Sequence, residues 1–94
     1  MRKYEITYLL VPEMSEEAVN GKIEEYKALV LKDNGQVVSV NNLGKKRMAY
    51  EINGKLDAYY IVMVFTAESA VADELRRVMK NSDEVLRSLA ILLD

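Results

Sequence analysis

The chain contains no cysteine and no histidine among its 94 residues. Without cysteine there are no disulfides, no zinc thiolates and no thiol nucleophiles. Without histidine, neutral-pH catalysis loses its most used acid, base and metal ligand. Only carboxylate and lysine chemistry remains. The expectation is therefore a binding or structural module: not an enzyme, with no cofactor, no metal and no small-molecule substrate. No apolar run approaches the ~20 residues that span a bilayer, so no membrane partner is expected. Met1 to Glu5 lead directly into a strand pattern and not into a secretion signal. A small chain that stands without staples suits a reducing compartment, and the expected location is cytoplasmic. A basic excess is also missing. The formal net charge of -2 argues against a nonspecific nucleic-acid coat but leaves room for a local basic patch.

Hydrophobic residues make up 50% of the chain and charged residues 30%, a globular balance. The length fits one domain covering residues 1–94. Residues 4–11 are β-branched and aromatic and predict a strand closed by Pro12. Ser15 is placed as a helix N-cap, with Glu16 and Glu17 favourable in the first turn. Met14 and Val19 have the spacing of a hydrophobic staple. Val19, Ile23, Tyr26 and Val30 form one helical face, interrupted only by an unfavourable Gly21 on another face. Asn34-Gly35 ends the helix, with Gly35 suited to a left-handed cap.

A second strand begins at residue 36, and Gly44 predicts a bulge in it before the pattern resumes to Ile52. Asn53-Gly54 signals a turn, read within a longer loop to Asp57. Residues 58–66 form an apolar strand. Thr66 is placed as the cap of a helix over 67–80, with Val71, Leu75 and Val78 as its core stripe. Residues 85–93 complete the set. The order β-α-β-β-α-β predicts a ferredoxin-like α+β sandwich, a four-stranded antiparallel sheet with two helices on one face.

Two helices cover one side of such a sheet, and the other side should then alternate to polar. It does not. Ile61, Met63 and Phe65 share one parity, while Tyr60, Val62 and Val64 share the other. Leu89, Ile91 and Leu93 alternate with Ala90 and Leu92 in the same way. The surplus makes Tyr60, Val62, Val64, Leu89 and Ile91 candidates for binding a protein partner. The alternative is that central strands of a small sheet are simply apolar.

Charge is unevenly spread. Residues 41–55 hold four cations, Lys45, Lys46, Arg47 and Lys55, against one acid, Glu51. Residues 13–35 hold six acids against three lysines. Lysine and arginine pair with phosphate oxygens, and Tyr50 can stack on a base. The alternative is an edge strand guarded by lysine against edge-to-edge pairing. Arg76, Arg77 and Lys80 are interspersed with acids and read as a solvated helix face. Glu16-Glu17 and Glu24-Glu25 are adjacent on a helix and point about 100° apart, which does not make a carboxylate dyad.

The start Met1-Arg2-Lys3-Tyr4-Glu5-Ile6, the strand end Leu10-Val11-Pro12 and the segment Leu43-Gly44-Lys45-Lys46-Arg47-Met48-Ala49-Tyr50-Glu51-Ile52 together resemble the bacterial small-subunit ribosomal protein six family. Asp83 to Arg87 is similar to that family's entry into its last strand, although Glu51 stands where the family often has proline. The resemblance implies a structural constituent of the small ribosomal subunit. It implies binding to the central domain of small-subunit ribosomal RNA as a heterodimer with small-subunit ribosomal protein eighteen. The matching positions for RNA contact are Arg2, Lys45, Lys46 and Arg47, followed by Lys3, Tyr50 and Arg87.

Two other classes share the element order, and fold alone does not separate them. One is a homodimeric regulatory or ligand-binding module without RNA affinity, its apolar sheet face packed on a second copy. The other is an acylphosphatase-like enzyme, which needs a phosphate-cradling loop with arginine after the first strand. Here that segment is Val11-Pro12-Glu13-Met14, and its glutamate repels phosphate.

Overall fold

The computed structural model describes all residues, Met1–Asp94. In chain order the elements are β1 (Arg2–Leu10), α1 (Glu16–Lys32), β2 (Gln36–Ile52), β3 (Lys55–Ala67), α2 (Ser69–Lys80) and β4 (Val85–Leu92). The strands form one sheet in the order β2-β3-β1-β4, and every neighbouring pair is antiparallel. This is the ferredoxin-like arrangement.

The sheet has two unlike faces, set by strand parity. Tyr4, Ile6, Tyr8 and Leu10 of β1 lie opposite Phe65, Met63, Ile61 and Tyr59 of β3. These side chains form the core with the inward faces of both helices. From α1 come Val19, Ile23, Tyr26 and Val30, all buried. Each large apolar side chain so buried contributes about 1.5–3 kcal/mol. Ser15 caps α1: its Oγ accepts the Ala18 amide at 3.1 Å. Met14 and Val19 are both buried in the core beside that cap, as the staple spacing requires.

Four local expectations need correction. At the end of α1 it is Asn34, with φ 66°, that takes the left-handed conformation. Gly35 is needed for a different reason. A Cβ there would stand 2.4 Å from the Val30 carbonyl oxygen and 2.8 Å from a Val30 methyl. Secondly, α2 starts later than 67. Thr66 lies in β3, paired with Lys3 and Gln36, and the N-cap position is Glu68 without a side-chain cap. Thirdly, the buried stripe of α2 is Val71, Ala72, Leu75 and Met79, with Val78 only half-buried at its margin.

Finally, no long loop follows Ile52. Asn53 (φ 50°) and Gly54 (φ 79°) make a two-residue turn of type I′, and Ile52 pairs directly with Lys55. The hairpin of β2 and β3 is consequently longer and stiffer than the turn residues alone imply. The bulge at Gly44 is present. Its φ is 82°, the register shifts between Asn42 and Gly44, and its amide donates to Asn42 Oδ1 at 2.9 Å.

The Tyr8 and Tyr26 rings meet edge to face with centroids 5.2 Å apart. Both hydroxyls are buried and lack a hydrogen-bond partner. Burial pushes the Tyr8 phenol well above the usual tyrosine range. An orphaned buried hydroxyl costs about 1–3 kcal/mol. Tyr8→Phe is therefore expected to raise stability by about 1 kcal/mol in urea melts; a loss of stability would show that the hydroxyl is satisfied. The helical glycine and the buried glycine should behave oppositely. A methyl group added at Gly21 would meet nothing within 4 Å, so Gly21→Ala gains about 1 kcal/mol. Gly35→Ala, forced into the Val30 backbone, loses about 1–3 kcal/mol in the same measurement.

Candidate nucleic-acid interface

The basic segment sits on a sheet edge. β2 has a neighbour only on its β3 side, so its outer backbone edge is open. Beyond the Gly44 bulge the register pairs Lys45 with Tyr59, Lys46 with Ala58 and Arg47 with Asp57. Tyr59 belongs to the helix-covered parity, and its hydroxyl donates to the Met14 carbonyl at 3.2 Å. The Lys45 ammonium lies 5.3 Å from the centre of that ring. Ala58 belongs to the other parity, so Lys46 rises on the uncovered side. The three cations thus flank the edge strand from both faces. All three are exposed, and none has a carboxylate within ion-pair distance.

Lys55 behaves differently. Its ammonium is 2.7 Å from Glu13 Oε2, and this pairing holds the Glu13 carboxyl below the usual carboxylate range. The charge of Lys55 is spent on tying the hairpin to the loop before α1. The lysines of α1 at positions 22 and 27 are likewise paired with Glu25, Glu84 and Glu24. Lys45, Lys46 and Arg47, by contrast, keep no such partner.

The uncovered face carries all five apolar partner candidates. Tyr60, Val62 and Val64 lie opposite Leu9, Thr7 and Glu5, and Leu89 and Ile91 lie opposite Thr7 and Glu5 on the other side of β1. Leu89 is 61% exposed and Ile91 44%. Part of the surplus is nevertheless satisfied internally. Leu9, Met48 and Ala58 are buried together, with Ile52, Tyr60 and Leu86 packed around them. The long hairpin bends over the end of β1 to make this small second cluster. Tyr50 marks the bend. It belongs to one edge strand, yet its hydroxyl accepts a hydrogen bond from the Arg87 guanidinium of the opposite edge strand. The guanidinium also stands 5.4 Å from the centre of the Tyr50 ring.

Five of the seven RNA candidates, Lys45, Lys46, Arg47, Tyr50 and Arg87, thus gather around the hairpin end of the sheet. Arg2 and Lys3 do not join them. They pair with Ala67 and Thr66 at the far end of β3, about 20 Å along β1 from Leu9. There Arg2 donates to the Asp94 carbonyl at 3.3 Å, and the Lys3 amide donates to Asp94 Oδ1 at 3.0 Å. Arg76 and Lys80, read from the sequence as a solvated helix face, are exposed as expected and also border a groove between α2 and β4. The sequence reading missed the hairpin cluster. The one signal for that cluster was Met48, an apolar residue directly after three cations on the parity of Lys46.

Comparison with known proteins gives a consistent result. The family model described as ribosomal protein S6 matches residues 3–91. A small ribosomal subunit protein bS6 from Thermoanaerobacter pseudethanolicus is 43% identical, over all of this chain and 99% of its own length. One from Heliobacterium modesticaldum is also 43% identical, over all of this chain and 98% of its own length. The crystal structure of 30S ribosomal protein S6 from Thermotoga maritima superposes with a TM-score of 0.92, covering 98% of this chain and 87% of that one; at 24% identity it speaks to the fold. With the family model spanning nearly every element and these relatives aligned from end to end, the chain belongs to the ribosomal protein S6 family of the small ribosomal subunit.

Proposed function

We propose that this chain is a structural component of the small ribosomal subunit that binds the central domain of small-subunit ribosomal RNA as a heterodimer with small-subunit ribosomal protein eighteen. It acts as one unit over residues 1–94, in the cytoplasm, on the ribosome. The observation that carries the RNA part is the unpaired triplet Lys45, Lys46 and Arg47, set on both faces of an open edge strand. A strand flanked in this way offers cations to phosphates approaching its edge from either face. Tyr50, 58% exposed, adds a ring on which a base can stack. The rigid two-residue turn and the cluster beneath it hold these groups in place before RNA arrives, which lowers the ordering cost of binding.

The protein-partner part is supported by apolar residues beyond the reach of the hairpin cluster, Val62 and Val64 on one side of Thr7 and Glu5 and the exposed Leu89 and Ile91 on the other. Association through these residues removes apolar surface from water, and the partner brings further cations to the RNA. Both are needed. Three or four phosphate contacts give a log–log salt slope of only about -3, which is weak binding for one chain at physiological salt. RNA of defined shape is recognised largely through its backbone, as this arrangement of cations without base-reading pockets requires.

The test is titration of a central-domain RNA fragment with this chain, with the partner protein and with the pair. The pair should bind far more tightly than either alone. Lys46→Glu with Arg47→Glu should weaken the ternary complex roughly tenfold or more while the melting curve stays unchanged. Unchanged affinity would remove the triplet from the interface. A stable homodimer that binds neither RNA nor the partner would instead favour a self-packing module. Placing charge among these apolar residues, as in Leu89→Glu, should abolish heterodimer formation measured by sedimentation, since a buried unpaired carboxylate is strongly unfavourable.

A further inference from the structure

We infer that the β4 edge of the sheet is a second RNA contact, built to hold one unpaired nucleotide with its phosphate between α2 and β4 and its base against Tyr50. The inference rests on the RNA reading above and extends it to residues on the opposite edge from the triplet. Two neighbouring concavities carry it. The first is a groove of about 360 Å³ between the end of α2 and the start of β4, bordered by Arg76, Lys80 and Arg87 with no acid among its lining residues. The second is a mostly apolar cleft of about 120 Å³ on the uncovered face, lined by Leu9, Met48, Ile52 and Tyr60 beneath Tyr50 and Arg87. Arg87 is the wall common to both.

The chemistry of the two halves differs as the halves of a nucleotide differ. In the groove, Lys80 has no carboxylate partner. Arg76 holds Asp73 at 2.6 Å, but both side chains are more than half exposed, so that pair is weak and exchangeable for a phosphate. In the cleft, the Arg87 guanidinium stands 5.4 Å from the centre of the Tyr50 ring, which is otherwise mostly open at 58% exposure. An aromatic ring with an arginine plane beside it is the surface on which splayed bases stack. A phosphate in the groove and a base in the cleft would be joined across Arg87 alone, which is the connectivity of a single nucleotide. Arg77 serves as the internal contrast: it is one residue from Arg76 but makes two hydrogen bonds to Glu74, at 2.8 and 2.7 Å, and does not border the groove.

The experiment titrates the central-domain RNA fragment with the protein pair, using Arg76→Gln with Lys80→Gln, Arg77→Gln, Tyr50→Leu and Lys46→Glu with Arg47→Glu, each checked by thermal melting. Removing two phosphate contacts should cost roughly thirtyfold in affinity at 0.1 M salt and flatten the log–log salt slope by about 1.5. Arg77→Gln should leave affinity unchanged. Tyr50→Leu keeps the cleft covered but removes the ring, and should cost about tenfold. The inference is overturned if the groove pair binds like the parent, if Arg77→Gln weakens binding as much as the groove pair does, or if Tyr50→Leu has no effect. Loss of effect only in the Lys46 and Arg47 variant would overturn the hairpin reading and leave this one standing. A parent pair that binds no RNA overturns both.

Discussion

Two helices are wide enough to cover one face of a four-stranded sheet, and the rest of the molecule depends on that limit. α1 and α2 bury the parity of Ile6, Tyr8, Ile61 and Phe65. The opposite parity is left without a layer, although β3 and β4 place Tyr60, Val62, Val64, Leu89 and Ile91 there beside Thr7 and Glu5 of β1. The chain answers half of the problem itself. The β2–β3 hairpin is long enough to bend over the end of β1 and bury Leu9, Met48 and Ala58. The other half is only partly solved: Val62 and Val64 are half-buried, while Leu89 and Ile91 stay exposed in the isolated chain. Exposed apolar residues on an uncovered sheet face fit a family whose members are small-subunit ribosomal proteins.

The same hairpin sets the electrostatics. Its bulge at Gly44 and its I′ turn at Asn53-Gly54 fix which cation faces which side. Elsewhere the helices neutralise their own charges through pairs three residues apart, and these exposed pairs contribute little stability. The hairpin, by contrast, keeps three adjacent cations outside any ion pair on a chain whose formal charge is -2. The positive charge is thus local and not a general basic excess.

Much of the fold was legible because each element states its own period. The spacing of Val19, Ile23, Tyr26 and Val30 defined the buried face of α1 without any tertiary information, and Ser15 defined its start. The errors fall where neighbours overrule local preference. Thr66 is a good cap residue, but pairing on both sides, to Lys3 and Gln36, keeps it in β3. Gly35 was assigned a left-handed role that Asn34 performs, because the closeness of the Val30 backbone is not written in any local pattern. For the site, the basic triplet and the apolar surplus were both visible as composition. Their grouping was not, since no local pattern says which end of the sheet Arg2 and Lys3 occupy, and they lie at the other end of β1 from the hairpin.

The sequence by itself determined the element order, the helical core face, the bulge, the basic run and the surplus of apolar residues on both parities of β3 and β4. These are properties of short windows, where periodicity and side-chain chemistry act within a few residues. Tertiary structure alone decided that Tyr50 meets Arg87 across the width of the sheet, that part of the surplus is buried by a bent hairpin, and that Arg76 and Lys80 share a groove with β4. Those outcomes depend on strand register and on the curvature of a sheet closed on one side by helices. Both are set by packing between residues tens of positions apart, so no window of sequence contains them.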